Sequence, residues 1–171
     1  MGSGSYERVR REELDRILKI TNQEMLKYYA PEGLLLAAHL DDVKAAKFFL
    51  KPPIRSWALH RPRDESHGPL DWAAIHGHVR VMKVLLRRGV DPNKSNSDYK
   101  PLHLATLNKC LPAVRLLLEY GADPTLLDDY GRRPSLFAIG TENHELRRLL
   151  KKAEFLWSPE TFVDDLPTVV T

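Results

Sequence analysis

The sequence has a single cysteine, Cys110, among 171 residues. One thiol makes neither an internal disulfide nor a multi-cysteine metal site, so covalent staples and structural zinc are not what holds the fold. A reducing compartment, cytosol or nucleus, is the expectation, with a mitochondrial matrix left open. No apolar run approaches the roughly 18 residues of a bilayer-spanning helix. Residues 1–30 are charged and polar with no apolar h-region, so no secretory signal is expected. A surplus of one charge is missing as well. The 26 basic and 23 acidic residues leave +3, short of the clustered excess that marks a dedicated nucleic-acid binder. What remains, 43% hydrophobic and 29% charged, is the composition of an ordinary globular chain.

Catalytic and metal motifs are also lacking. There is no HExxH, no Cys/His cluster and no glycine-rich phosphate loop. No Gly-x-Ser-x-Gly elbow occurs. Gly131-Arg132-Arg133-Pro134 reads as a hairpin followed by a helix start. His76 and His78 are two residues apart and fall on different sides of a helix. His60 and His67 lie in a polar loop, and His39 and His144 belong to other segments. Cys110, about two turns after His103, reads as a core thiol rather than a nucleophile. Asp128-Asp129 reads as a hairpin tip and Asp164-Asp165 as solvated tail. The expectation is a chain with no catalytic site, metal or cofactor, and no small-molecule substrate.

What is there is a period. Gly68-Pro69-Leu70-Asp71-Trp72-Ala73-Ala74 is similar to Lys100-Pro101-Leu102-His103-Leu104-Ala105-Thr106, and that to Arg133-Pro134-Ser135-Leu136-Phe137-Ala138-Ile139. The prolines are 32 and then 33 residues apart. Downstream, Val84-Leu85-Leu86-Arg87-Arg88-Gly89-Val90-Asp91-Pro92 matches Leu116-Leu117-Leu118-Glu119-Tyr120-Gly121-Ala122-Asp123-Pro124, again at 32. Two blocks in one phase at one period define a repeat. A weaker unit precedes them, with Gly33 to Ala38 aligned on Pro69 to Ala74 at an offset of 36. Pro52, Pro53 and Pro62 mark 51–65 as a loop insertion.

These blocks resemble the ankyrin repeat, with its T-P-L-H-x-A, Gly-His and L-L-x-x-G-A-D signatures, over residues 32–150. Unit three keeps Pro101-Leu102-His103 and Ala105; unit two keeps Pro69-Leu70, Ala73-Ala74 and Gly77-His78. The resemblance implies an all-α solenoid of stacked helix-turn-helix units joined by β-hairpin loops. The units fall at about 32–50, 67–93, 99–125 and 131–152. Residues 1–30 form a helical cap, 31–155 the repeat domain and 156–171 an extended tail.

The residue types suit that unit. Each proline sits where a helix begins and its missing N–H would have had no partner. Leu70, Val79, Met82, Leu85 and Leu86 make an apolar face. Gly89 and Gly121 follow second helices, where a left-handed residue ends a helix. Leu14, Ile17 and Leu18 share a face in the cap, and Thr21-x-x-Glu24 has the spacing of a capping box. Departures are visible too. Gly68, Lys100 and Arg133 stand where the family has threonine, so its Thr–His tie is expected to be missing. Ser135 replaces a core leucine.

The resemblance also implies where a partner lies, along the hairpin tips and the inner face of the first helices. Carried over position by position, it picks out Glu65, His67 and His76 in unit two, with Ile75 beside them. In unit three it picks out Asn96, Tyr99, Leu107 and Asn108, and in unit four Tyr130, Arg132 and Thr141. Tyr99 and Tyr130 lead, because tyrosine and arginine dominate energetic hot spots. The same two rings could instead brace their own loops. The insertion, with Ile54, Arg55 and Trp57, and the acidic tail with Phe162 are further contact segments. The expected function is a non-catalytic protein-binding adaptor. A structural subunit of a large assembly and a regulatory fragment of a longer multidomain chain are the alternatives. Arg87-Arg88 and Arg147-Arg148-Lys151-Lys152 read as helix-end cations facing the dipole, and nucleic acid is disfavoured because no aromatics interleave with them.

Overall fold

The computed structural model describes residues 3–59, 67–95, 97–139 and 141–157. Within them the regular structure is helical, and no strand occurs. Helix α1 (Ser3–Leu18) leads into α2 (Gln23–His39) and α3 (Val43–Phe49), followed by the short α4 (Ile54–Ala58). Three pairs complete the array: α5 (Pro69–His76) with α6 (Val79–Arg87), α7 (Pro101–Leu107) with α8 (Leu111–Glu119), and α9 (Pro134–Phe137) with α10 (His144–Trp157). First helices α2, α5, α7 and α9 pack in one layer, and second helices α3, α6, α8 and α10 in the other.

Local chemistry explains the repetition. Pro69, Pro101 and Pro134 each open a helix. Ala73, Ala74 and Ala105 are fully buried, small enough for neighbouring helices to approach. Gly89 and Gly121 follow α6 and α8 with φ of 77° and 84°. A second left-handed residue recurs between the helices of a unit. Glycine holds it in unit two (Gly77, φ 68°), but Asp41 (φ 50°) and Lys109 (φ 55°) hold it in units one and three. An L side chain there costs roughly 1 kcal/mol or more.

The cap departs from the expected boundary. The division at 30/31 falls inside α2, one helix that passes through Pro31. Leu26, Ala30, Leu34 and Ala37 fall at helical spacing along it and are all buried, so a single apolar face serves cap and first unit. The helix cap is Asn22, not Thr21: its Oδ1 accepts from the N–H groups of Glu24 (2.9 Å) and Met25 (3.3 Å). Leu14 and Ile17 of α1 are buried against this frame. Arg11 Nη1 donates to Asp42 Oδ2 at 2.6 Å, while Asp42 Oδ1 caps α3 by accepting from Ala45 N at 2.9 Å. Burial would raise the Asp42 carboxyl, but these bonds outweigh it and hold it below its ordinary value.

Three further differences have physical causes. The insertion is not loop throughout: α4 lies on α2, with Ala58 buried. Among the described residues the hairpin loops carry no strand ladder; in the loop before unit four, Asp128 N donates to Arg132 O at 2.9 Å and Gly131 N to Asp128 O at 3.0 Å. Helix α9 is only one turn long, because Ser135 offers no apolar side chain where Leu70 and Leu102 anchor α5 and α7.

The missing Thr–His tie is replaced. Asp71, 1% exposed, stands at the histidine position of unit two and accepts from Gly68 N (2.7 Å) and from Ser95 Oγ (2.8 Å) in the next loop. His103 retains the link in unit three, its Nε2 lying 2.9 Å from Arg132 O. His78 meets His39 O at 3.0 Å, and Asn93 clamps the following unit through Gly121 O (3.0 Å) and Asp123 N (2.8 Å). Both histidines are structural.

Candidate partner-binding site

The loop joining unit three to unit four is ordered by one buried carboxylate. Asp128 Oδ1 accepts from Tyr130 N (3.0 Å) and Arg132 N (2.8 Å), while Oδ2 takes Arg132 Nε at 2.9 Å. Burial pushes the Asp128 carboxyl up, but these three N–H bonds and the guanidinium charge more than offset it, so its pKa is lowered. The carboxylate stays ionised and the turn stays closed.

Arg132 is thereby aimed. Its guanidinium carbon lies 4.7 Å from the Tyr130 ring centre, 4.8 Å from Phe137 and 5.5 Å from Tyr99. Nη2 also donates to the Tyr99 hydroxyl at 3.2 Å. A planar cation over aromatic faces is attracted by their quadrupoles, and arginine suits the role better than lysine. Tyr130 is 62% exposed, yet its hydroxyl donates to Asp98 Oδ2 at 3.0 Å. That bond raises the phenol above its ordinary value. Lys100 pairs with Asp129 at 3.2 Å and adds a cross-loop tie.

Of the residues picked from the sequence, Tyr99, Tyr130 and Arg132 are brought together. Tyr99 packs partly into the core and braces the loop, whereas Tyr130 presents its ring to solvent. Leu107 and Asn108 are exposed at the end of α7. Thr141 does not belong with them: it is 8% exposed and its hydroxyl donates to Ala138 O at 2.9 Å, closing the end of α9. Glu65 and Asn96 lie outside the described residues. Leu136 and Ile139 are exposed apolar residues of unit four that the pattern does not single out. Phe137 was equally silent, since the repeat gives no reason for an aromatic there.

His67 and His76 join a different group, around Trp72. His76 stacks on Trp72 with centres 5.6 Å apart and planes 6° from parallel. His39 meets both edge-on, at 5.0 Å from Trp72 and 4.7 Å from His76. His67 lies 5.6 Å from Trp72, His78 stacks at 5.5 Å from His76, and Arg10 of α1 sits 5.9 Å over the indole. Burial lowers the His39 pKa to about 4, helped by Arg10, His76 and His78. Burial also lowers His76. Among the described residues, no group of three or more His, Cys, Asp or Glu side chains is arranged to hold a metal ion. Trp72 takes the place of Leu104 in the repeat alignment, and that substitution is the one sequence signal for the cluster.

A family model for ankyrin repeats (3 copies) matches residues 34–128, the first three units. Palmitoyltransferase ZDHHC13 of Mus musculus is 37% identical over 120 residues, covering 64% of this chain and 19% of that protein. Palmitoyltransferase ZDHHC17 of Homo sapiens is 32% identical over 113 residues, 58% of this chain and 18% of its own length. The Danio rerio ZDHHC17 is 33% identical over 107 residues, with shares of 55% and 17%. The chain spans less than a fifth of the length of these curated relatives. With a match over more than half its residues, the chain belongs to the ankyrin-repeat family.

Proposed function

We propose that this chain is a non-catalytic protein-binding module that engages its partner with the loop tips and first-helix face of units three and four. The observation that supports this reading is the preorganised cluster of Arg132, Tyr130 and Tyr99. The loop bonds fix the side chains before any partner arrives, so little rotamer freedom is lost on binding. Tyr130, Leu107, Leu136 and Ile139 supply exposed apolar area of the kind that marks an interaction surface. Its setting is a reducing compartment, cytosol or nucleus.

The relatives favour a second element of the reading, that the module is a recruiting arm of a longer multidomain protein. Those named above are palmitoyltransferases, and the resemblance lies in less than a fifth of each. In that setting the module captures a protein and an acyl-transfer part elsewhere acts on it.

The test is affinity capture from native extract with the wild-type chain and with Tyr99→Ala/Tyr130→Ala. A partner retained by the wild type and lost by the variant, with helical circular dichroism unchanged, supports the assignment. Equal capture by both removes the site. Size fractionation of the extract separates the alternatives, because a structural subunit co-migrates with one large particle at fixed stoichiometry.

A further inference from the structure

The second-helix layer, on the side of the array away from the loop-tip cluster, has its own charge pattern. Residues 43–51, 79–88, 111–120 and 144–157 hold twelve Lys and Arg against three Glu, a net +9 in a chain whose total is +3. The rest of the chain is therefore acidic on balance. The cations are also in register. Lys47, Lys83, Arg115 and Arg148 are separated by 36, 32 and 33 residues, the spacings of the units themselves, and all four are exposed.

A parallel row runs Lys51, Arg87, Glu119, Lys152. Helices α3, α6, α8 and α10 pack side by side in that order. At about 10 Å per helix neighbour, the rows extend over roughly 30 Å. Arg115 pairs with Glu145 and Arg88 is tied to Leu50 O at 2.5 Å. Lys44, Lys47, Lys51, Arg80, Lys83, Arg87, Arg148, Lys151 and Lys152 make no ion pair with another described residue. Helix-dipole compensation explains a cation in a last turn, such as Lys47, but not Lys44, Arg80 and Lys83, which lie in first turns or mid-helix.

The far end of the layer adds exposed apolar side chains. Phe155 and Leu156 are each 65% exposed and Trp157 47%. Phe155 follows Lys151 by four residues and Arg148 by seven, so the three share the solvent face of α10, opposite buried Leu146 and Leu150. A soluble nucleic acid would use the charge and leave Phe155 idle, and no aromatic is interleaved along the rows for base stacking. An anionic bilayer uses both: its headgroups attract the cations and its interfacial zone accepts Phe and Leu.

We propose that the second-helix layer is a docking face for an anionic phospholipid surface, with Lys47, Lys83, Arg87, Arg148, Lys151 and Lys152 as the electrostatic contact and Phe155 as the inserted anchor. The loop-tip cluster of Tyr130 then points away from the membrane. The proposal is independent of that cluster's role.

The test is co-sedimentation of the 171-residue chain with vesicles of equal parts phosphatidylserine and phosphatidylcholine, against vesicles of phosphatidylcholine alone. Binding is expected only to the anionic vesicles, and it disappears near 1 M salt, where the screening length is about 3 Å. Lys83→Glu/Arg148→Glu/Lys152→Glu lowers the partition coefficient by roughly a hundredfold or more, since each cation near the surface contributes about a fivefold gain. Phe155→Ser lowers it by about tenfold without changing retention on a heparin column. These substitutions lie on exposed positions, and unchanged circular dichroism verifies the fold. Failure of the wild type to bind anionic vesicles overturns the proposal. So does binding unaltered by the triple variant, or tight binding to duplex RNA or single-stranded DNA with none to vesicles.

Discussion

Arg132 holds its guanidinium carbon 4.7 Å from the centre of the Tyr130 ring while its Nε donates to the buried carboxylate of Asp128 at 2.9 Å. The carboxylate fixes the fork and the fork positions the ring. Arg132→Lys keeps the charge but offers neither a flat face nor two directed donors. It is expected to weaken partner binding by roughly tenfold or more while leaving the helical signal intact. Titration calorimetry with the captured partner measures this, and an unchanged affinity would show that the stack serves the loop alone.

Asp71 and Ser95 substitute for the family's usual inter-repeat tie. Asp71→Ala leaves Gly68 N–H and Ser95 Oγ without their acceptor in a half-buried setting, at a cost of about 2 kcal/mol. Ser95→Ala costs about 1 kcal/mol. Urea denaturation of both single variants and the double variant forms the cycle; strictly additive losses would refute the coupling.

Gly33 is required by contact rather than by backbone angle. A Cβ built on it stands 2.3 Å from Phe49 Cζ, and that ring is fully buried. Gly33→Ala is expected to cost about 1–3 kcal/mol by overpacking. Phe49→Leu in the same chain should recover part of that loss, read as a higher midpoint in thermal melts than either additive estimate predicts.

Much of this arrangement was legible in the sequence. The prolines, paired alanines and terminal glycines repeat at one period, and each has a local mechanical reason, so the helix pairs and their order follow. The continuity of α2 was hidden because Pro31 mimics a boundary and only burial on a shared face overrides it. Within the candidate site, Tyr99, Tyr130 and Arg132 could be found from their place in the repeat. Their mutual stacking, the capping role of Asp128 and the inward turn of Thr141 depend on side-chain direction, which periodicity does not encode. The Trp72 cluster joins α1, α2 and α5, and no local pattern foretells contacts among three helices.

That cluster makes stability depend on pH. The His39 ring takes a proton near pH 4 in the folded chain and near its ordinary value of about 6.5 in the unfolded one. Between those values the unfolded state binds more protons. Stability is therefore full above about pH 6.5 and declines as the pH falls toward 4. His76 and His103, also lowered by burial, act in the same direction. The melting temperature should drop between about pH 7 and about pH 5, and His39→Gln should flatten that slope. A variant with Trp57→Phe and Trp157→Phe would report the change through Trp72 fluorescence. A melting temperature constant across this interval would exclude the burial of a neutral His39.

The helix that passes through Pro31 has a mechanical consequence. At 17 residues and a rise of 1.5 Å per residue, α2 is a rod about 26 Å long, rooted at one end under α1 and at the other in the first repeat. Tension or torque that reaches Gln23 past the 19–22 linker enters the stack along that rod, with no loop between residues 23 and 39 to absorb it. Within α2, rotation of the cap-side half and rotation of the first-repeat half are one movement.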